Sequence, residues 1–215
     1  MRLFVFCFCL FVVSECSCQE EILKRGRQWG YQCNQTPNYT FISNLSSHCK
    51  EKVWDCALSD MGKSTGIWLS KDGQCEVGVF IRKWDESGLP PSRKGVFHQY
   101  AWNRIRSGLH WGRLLVPCPN SSHDDIMMLL TEYPKKLAKK YFNSDRMYVY
   151  PINMNGKKCR DKYSVLMAVY LHVDYRVACP HLLFAMTDES AENFDKYLEE
   201  FQKTIWVDRK WKNNN

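Results

Sequence analysis

The chain has 215 residues, 45% of them hydrophobic and 25% charged, and a formal net charge of +7. That balance excludes a disordered tail, a collagen-like array and a polytopic membrane protein, and its length allows one ordinary domain or two small ones. Eleven Cys and eight Trp are the unusual counts, and both suit a compact secreted protein.

The amino end reads Met1-Arg2, then eleven apolar residues from Leu3 to Val13, then Ser14-Glu15-Cys16-Ser17-Cys18. A basic start, a short apolar run and a small-residue exit are those of a secretory signal peptide over 1–18, cleaved after Cys18 or after Cys16. A membrane-spanning helix needs about 20 apolar residues, so no transmembrane anchoring is expected and the mature protein is expected to be extracellular. Cleavage after Cys18 leaves seven cysteines, Cys33, Cys49, Cys56, Cys75, Cys118, Cys159 and Cys179, and cleavage after Cys16 adds Cys18 as an eighth. In an oxidising compartment these form a disulfide framework, each bridge contributing ~2–4 kcal/mol. No pair clear of the signal has the two-to-four-residue spacing of a zinc knuckle, so no metal site is expected.

From residue 19 to about 64 the chain is polar, irregular and punctuated by cysteine. Asn34, Asn38, Asn44 and Asn120 each begin an N-x-S/T sequon, four where about one is expected by chance. Glycosylation would mark the 34–44 segment as an exposed, sugar-covered loop. A dibasic Lys24-Arg25 is a weak processing signal. Next, Gly66–Ser70 and Glu76–Ile81 flank Lys71-Asp72-Gly73-Gln74, a hairpin signal, because glycine accepts positive φ cheaply. Ser87 to Ser92 reads as a loop.

Ser122 can cap a helix with Asp124 and Asp125 in its first turn, and Ile126, Leu129, Leu130 and Tyr133 follow at helical spacing. Pro134 restarts it as a second short helix, decorated by Lys135, Lys136, Lys139 and Lys140 and ending near Phe142. Met147 to Ile152 is a strand. A run from Tyr163 to Val177 alternates, with Tyr163, Val165, Met167, Val169, Leu171, Val173, Tyr175 and Val177 on one face of a single long strand. Cys159 and Cys179 bracket that strand and are the expected pair. Thr187 to about Trp206 is an amphipathic helix, with Phe194, Tyr197, Leu198, Phe201 and Ile205 in one stripe and Glu192/Lys196 and Glu199/Lys203 as i,i+4 pairs. Together these elements specify a single disulfide-stapled α+β domain over 19–215. Its sheet is mainly antiparallel, with a helical segment near 122–142 and the C-terminal helix packed on the sheet.

The densest unusual region holds Arg82, Lys83, Arg93, Lys94, Arg104, Arg106 and Arg113 against only Asp85 and Glu86, interleaved with Trp84, Phe97, Tyr100, Trp102 and Trp111. Arginine forks hold sulfate and carboxylate bidentately, and aromatic faces stack on sugars, so Arg82, Lys83, Arg93, Lys94, Trp102, Arg104, Arg106 and Arg113 are the candidate binding residues. Replacing Arg93, Lys94, Arg104 and Arg106 with Ser is expected to shift heparin elution more than replacing Lys135, Lys136, Lys139 and Lys140.

His172, Asp174 and Arg176 alternate on one strand face, where polar residues are expected without any function. His98 and His110 lie among the cations and suit acid–base cleavage of a phosphodiester. His123-Asp124-Asp125 offers hard metal ligands but already serves as a helix start. No nucleophile elbow, H-E-x-x-H or phosphate-cradling loop is present in the sequence, so no catalytic residue and no cofactor are assigned. A secreted glycoprotein binding an anionic glycan or an acidic protein surface, with no nucleic acid expected, is the favoured class. A small hydrolase using His98 and His110 is the alternative.

Overall fold

The computed structural model describes residues 24, 26–43, 66–83, 130–152, 163–174 and 178–211. Helical residues 24 and 26–28 apart, the described residues form nine strands and three helices in order. They are β1 (Tyr31–Cys33), β2 (Tyr39–Ser43), β3 (Gly66–Ser70), β4 (Cys75–Lys83), β5 (Thr131–Glu132), α1 (Lys135–Phe142), β6 (Arg146–Ile152), β7 (Val165–His172), β8 (Ala178–Met186), α2 (Asp188–Glu192), α3 (Phe194–Glu200) and β9 (Ile205–Val207). The architecture is α+β with a mainly antiparallel sheet. Seven strands pair in the order β2-β3-β4-β8-β7-β6-β5, while β1 and β9, from opposite ends of the sequence, form a two-stranded sheet.

The β3–β4 hairpin is as expected, with Trp68 opposite Val77 and Gly73 at φ 68 in the turn. Asp72 ties that turn down: its carboxylate accepts from the Ser70 hydroxyl, the Gln74 amide and the Tyr197 hydroxyl. Desolvation opposes ionisation there, but those three donors outweigh it and hold Asp72 below the usual carboxylate range.

The predicted long strand is shorter than expected, and its Tyr175 and Val177 lie outside the described residues. β7 stops at His172, Asp174 lies in a turn, and the chain re-enters the sheet as β8 between β4 and β7. This central strand escaped periodicity because it is buried on both faces and reads as one apolar run, Leu182-Leu183-Phe184-Ala185-Met186. Pro180 argues against a central strand by rule, yet it sits near the start of β8, where a missing N–H costs least. Within the predicted irregular amino-terminal portion, β1 and β2 are regular strands. The expected helix reaching Tyr133 gives way at Thr131-Glu132, which pairs with β6 as β5; residues 122–129 lie outside the described residues.

All three helices cover one face of the sheet. Val77, Val79, Leu182, Phe184, Met186, Val169, Leu171, Met147 and Val149 pack there against Phe194, Tyr197, Leu198 and Phe201 of α3 and Ala138, Tyr141 and Phe142 of α1. The predicted apolar stripe is buried throughout, but the predicted helix is not continuous. It breaks at Asn193 and ends at Glu200, and Lys203 takes φ 63 before Ile205 enters β9. Lys203 is therefore no i,i+4 partner for Glu199, which reaches Lys140 of α1 instead at 3.1 Å. Thr187 caps α2, its hydroxyl accepting from the Ser190 amide.

Candidate functional site

Three features of the described residues carry chemistry. The first is the exposed side of α1. Ala138, Tyr141 and Phe142 turn to the core, so Lys135, Lys136, Lys139 and Lys140 occupy the wet side of a helix that holds no acid. The C-terminal stretch lies beside them. The Lys203 amide donates to the Tyr141 carbonyl at 2.6 Å, the Asn143 carboxamide donates to the Val207 carbonyl at 2.8 Å, and the Arg209 guanidinium donates to the Asn143 carbonyl. Exposed Lys203, Arg209 and Lys210 thereby join the four lysines on one surface. Glu199 pairs with Lys140 and Asp145 with Arg209, and Asp145 also attracts Lys139.

The second is the end of the sheet where β4 and β7 finish and β6 and β8 begin. Arg146 stands opposite His172, Tyr148 opposite Tyr170, and Tyr170 opposite His181. The Tyr170 and His181 rings lie 4.5 Å apart, and an Arg146 Nη donates to the Tyr148 hydroxyl at 3.3 Å. A chain of charges closes this end: Arg209 to Asp145 at 2.9 Å, the Asp174 amide to the same carboxylate oxygen at 2.8 Å, and His172 Nε2 to Asp174 at 3.0 Å. Desolvation opposes ionisation of Asp145, but the Arg209 side chain and the Asp174 amide hold it below the ordinary range.

His172 and Asp174 do meet, but as a structural pair. The carboxylate fixes Nε2 as the N–H of neutral imidazole, which leaves Nδ1 as the basic nitrogen, and Nδ1 is buried. Burial pulls His172 below its ordinary 6.5, an effect that Asp174 only partly offsets. The unfolded chain therefore takes the proton first as pH falls, so His172 contributes stability that is intact above about pH 6.5 and is lost progressively below it. In urea titrations from pH 7.5 to 5.0, the fall in midpoint is expected to be shallower for His172→Asn. Parallel curves for parent and variant would refute the assignment.

The third feature is a cleft of about 460 Å³ where β1 pairs with β9, lined by Arg27, Gly30, Tyr31, Gln32, Cys33, Asn34, Asp208 and Trp211. Its walls are fixed by the Asn34 amide on the Thr204 carbonyl at 2.8 Å and the Asp208 amide on the Gly30 carbonyl at 2.9 Å.

Of the basic segment, Arg82 and Lys83 are placed, opposite Cys179 and Ala178 at the end of β4. Arg93, Lys94, Trp102, Arg104, Arg106 and Arg113 lie outside the described residues, as do His98, His110, His123, Arg176, Asn44, Asn120, Cys49, Cys56, Cys118 and Cys159 and the segment 1–18. Asn34 is exposed, its carboxamide donating to the Lys203 carbonyl at 2.7 Å, and Asn38 is half-buried at the head of β2.

No bond joins Cys33, Cys75 and Cys179 to one another. Cys75 stands opposite Met186, seven residues along β8 from Cys179, about 23 Å at ~3.3 Å per residue, against the ~7 Å limit of a disulfide. Of the expected Cys159–Cys179 pair, Cys159 lies outside the described residues.

Arg209, Lys210, Arg27 and Trp211 were not singled out from the sequence, and Lys203 only as a helical partner of Glu199. Only the pairing of β1 with β9 and the docking of the C-terminal stretch on α1 bring them to a site, and neither leaves a local signal. Among the described residues no helix is long and apolar enough to cross a membrane, and no three His, Cys, Asp or Glu side chains gather as a metal site.

No family model and no curated protein matches this chain. Among solved structures it resembles a cyanobacterial PsbP (CyanoP) from Synechocystis, with a TM-score of 0.43 at 5% identity over 83% of this chain and 86% of that one. A likeness of that size carries no argument about function.

Proposed function

We propose that the chain is a secreted, N-glycosylated, disulfide-stapled binding protein without catalysis, and that its partner is an anionic glycan. The observation that carries this reading is the cationic surface of α1 and the docked C-terminal stretch, where Lys135, Lys136 and Lys139 make no ion pair among the described residues. A helix with four lysines on its wet side and three further cations beside it creates a local positive potential that steers polyanions. The basic segment that starts at Arg82 supplies further cations in sequence. The hydrolase alternative rests on His98 and His110, which lie outside the described residues.

Heparin chromatography tests the reading. The mature protein is expected to elute above ~0.15 M salt, because contacts between exposed charges weaken only as the Debye length shortens. Lys135→Ser/Lys136→Ser/Lys139→Ser is expected to elute at lower salt than Lys24→Ser/Lys71→Ser/Lys196→Ser, which removes the same charge from scattered exposed positions. Lys140 is left intact because Glu199 already engages it. Co-elution of the two variants would show that net charge alone acts. Failure of the parent to bind at physiological salt would remove the glycan and leave an acidic protein surface as the partner to test.

A further inference from the structure

We infer that the cleft between β1 and β9 is a saccharide subsite that takes one acidic sugar unit, a uronate or a sulfated hexosamine. This rests on the reading that the partner is an anionic glycan, and it names where a single residue of that glycan is recognised. The lysine surface of α1 attracts polyanions without regard to shape, whereas the cleft has walls.

Its chemistry is mixed in the way a sugar requires. Arg27 is exposed on the rim and makes no ion pair among the described residues, so its planar fork is available to a carboxylate or sulfate in a bidentate pair. The indole of Trp211 supplies a flat apolar wall of the kind on which the C–H face of a pyranose rests. Gln32 is exposed and offers a carboxamide that can both donate to and accept from ring hydroxyls.

Asp208 decides between a sugar and a bare anion. One of its oxygens accepts from the Lys210 amide at 2.9 Å, which holds the carboxylate in the lining. A carboxylate there repels an isolated sulfate but accepts well from sugar hydroxyls. One guanidinium, one carboxylate, an amide and an indole therefore match a ring that carries hydroxyls and a single acid group. The volume of about 460 Å³ lies within the range of small-molecule sites and suits one or two sugar rings. The walls are held by backbone hydrogen bonds of the β1–β9 pair, so the site is formed before any ligand arrives.

The test is calorimetric titration of the full secreted protein with a sulfated uronate–glucosamine disaccharide, and separately with inorganic sulfate. The parent is expected to bind the disaccharide and to ignore sulfate at the same concentration. Arg27→Gln and Trp211→Ala are each expected to weaken the disaccharide by about tenfold or more. Arg27→Gln alters an exposed side chain and is expected to leave the thermal midpoint unchanged. The Lys135→Ser/Lys136→Ser/Lys139→Ser variant is expected to keep the disaccharide affinity while its heparin elution falls.

A parent that binds heparin, with disaccharide affinity untouched by Arg27→Gln and Trp211→Ala, would overturn the cleft and leave the glycan reading standing. A parent that binds the disaccharide but not heparin would keep the cleft and remove the polyanion. Equal binding of sulfate would overturn the sugar assignment. So would disaccharide binding that emerges only after N-glycan removal, since the cleft would then be the seat of the chain's own sugar on Asn34.

Discussion

Replacing Phe201 with Ala is expected to cost ~3–5 kcal/mol, the range for deleting a fully buried aromatic ring. Phe201 is 0% exposed and sits where three parts of the core meet. Edge-to-face contacts link it to Tyr39 of β2 at 5.0 Å, Trp68 of β3 at 5.9 Å and Phe184 of β8 at 5.7 Å between ring centres. Its position at the end of α3 gives it no room to be replaced by a neighbour. Tyr39 is held by its hydroxyl bond to the Tyr197 carbonyl, and Phe184 is pinned edge-on against Phe194 at 5.4 Å. The cavity therefore stays largely open. At ~2–4 °C of melting temperature per kcal/mol for a domain of this size, the midpoint is expected to fall by about 10 °C. Lys196→Ala, on the exposed side of the same helix, is expected to leave it within about 2 °C. Calorimetry on both variants decides the matter, and a fall of less than 2 °C for Phe201→Ala would show that the three aromatic contacts are not what fastens α3 to the sheet.

The aromatic stripe containing Phe201 was legible because helical spacing survives even where the helix does not continue, and Ile205 keeps its inward position after the switch into β9. The β3–β4 hairpin, α1 and β6 were legible for the same reason: each carries a period or a turn residue of its own. β8 was not, because a strand buried on both faces loses the alternation by which strands are read. β1 and β9 are three residues each, too short for any period, and are created by the pairing of Tyr31 with Val207 across nearly the whole sequence. The candidate site divides along the same line. Four lysines in eight residues are visible as a charge cluster, but the cations that join them, and the cleft built from Arg27, Gln32 and Trp211, exist only once the two ends of the chain meet.

Cys75 is expected to remain a thiol in the secreted protein, inert to alkylation until the fold opens. Its side chain is wholly buried in the core, beneath Tyr39 and the Asp72 turn. Burial drives its ionisation far above the ordinary thiol range, and the nearby carboxylates Asp72, Glu76 and Glu200 reinforce that. The nucleophile in both alkylation and disulfide exchange is the thiolate, so a thiol that neither ionises nor meets solvent reacts only through the open state. With a stability of about 5–15 kcal/mol, that state is populated at less than one molecule in a thousand. Iodoacetamide at pH 8 is therefore expected to label Cys75 at least ~10³-fold more slowly in the native protein than in 6 M guanidinium.

Setting Cys75 aside gives an even set only for cleavage after Cys18; cleavage after Cys16 leaves seven. Seven cysteines after cleavage at Cys18 leave six, Cys33, Cys49, Cys56, Cys118, Cys159 and Cys179, an even set for three bridges. Burial pushes the Cys33 thiol up to about 12, so as a thiol it ionises little at neutral pH in the folded chain. Non-reducing peptide mapping is expected to find Gln19 at the amino end, three bridges, and a single carbamidomethyl group on Cys75 after denaturation. Cys75 recovered in a bridge would refute the core placement of its thiol.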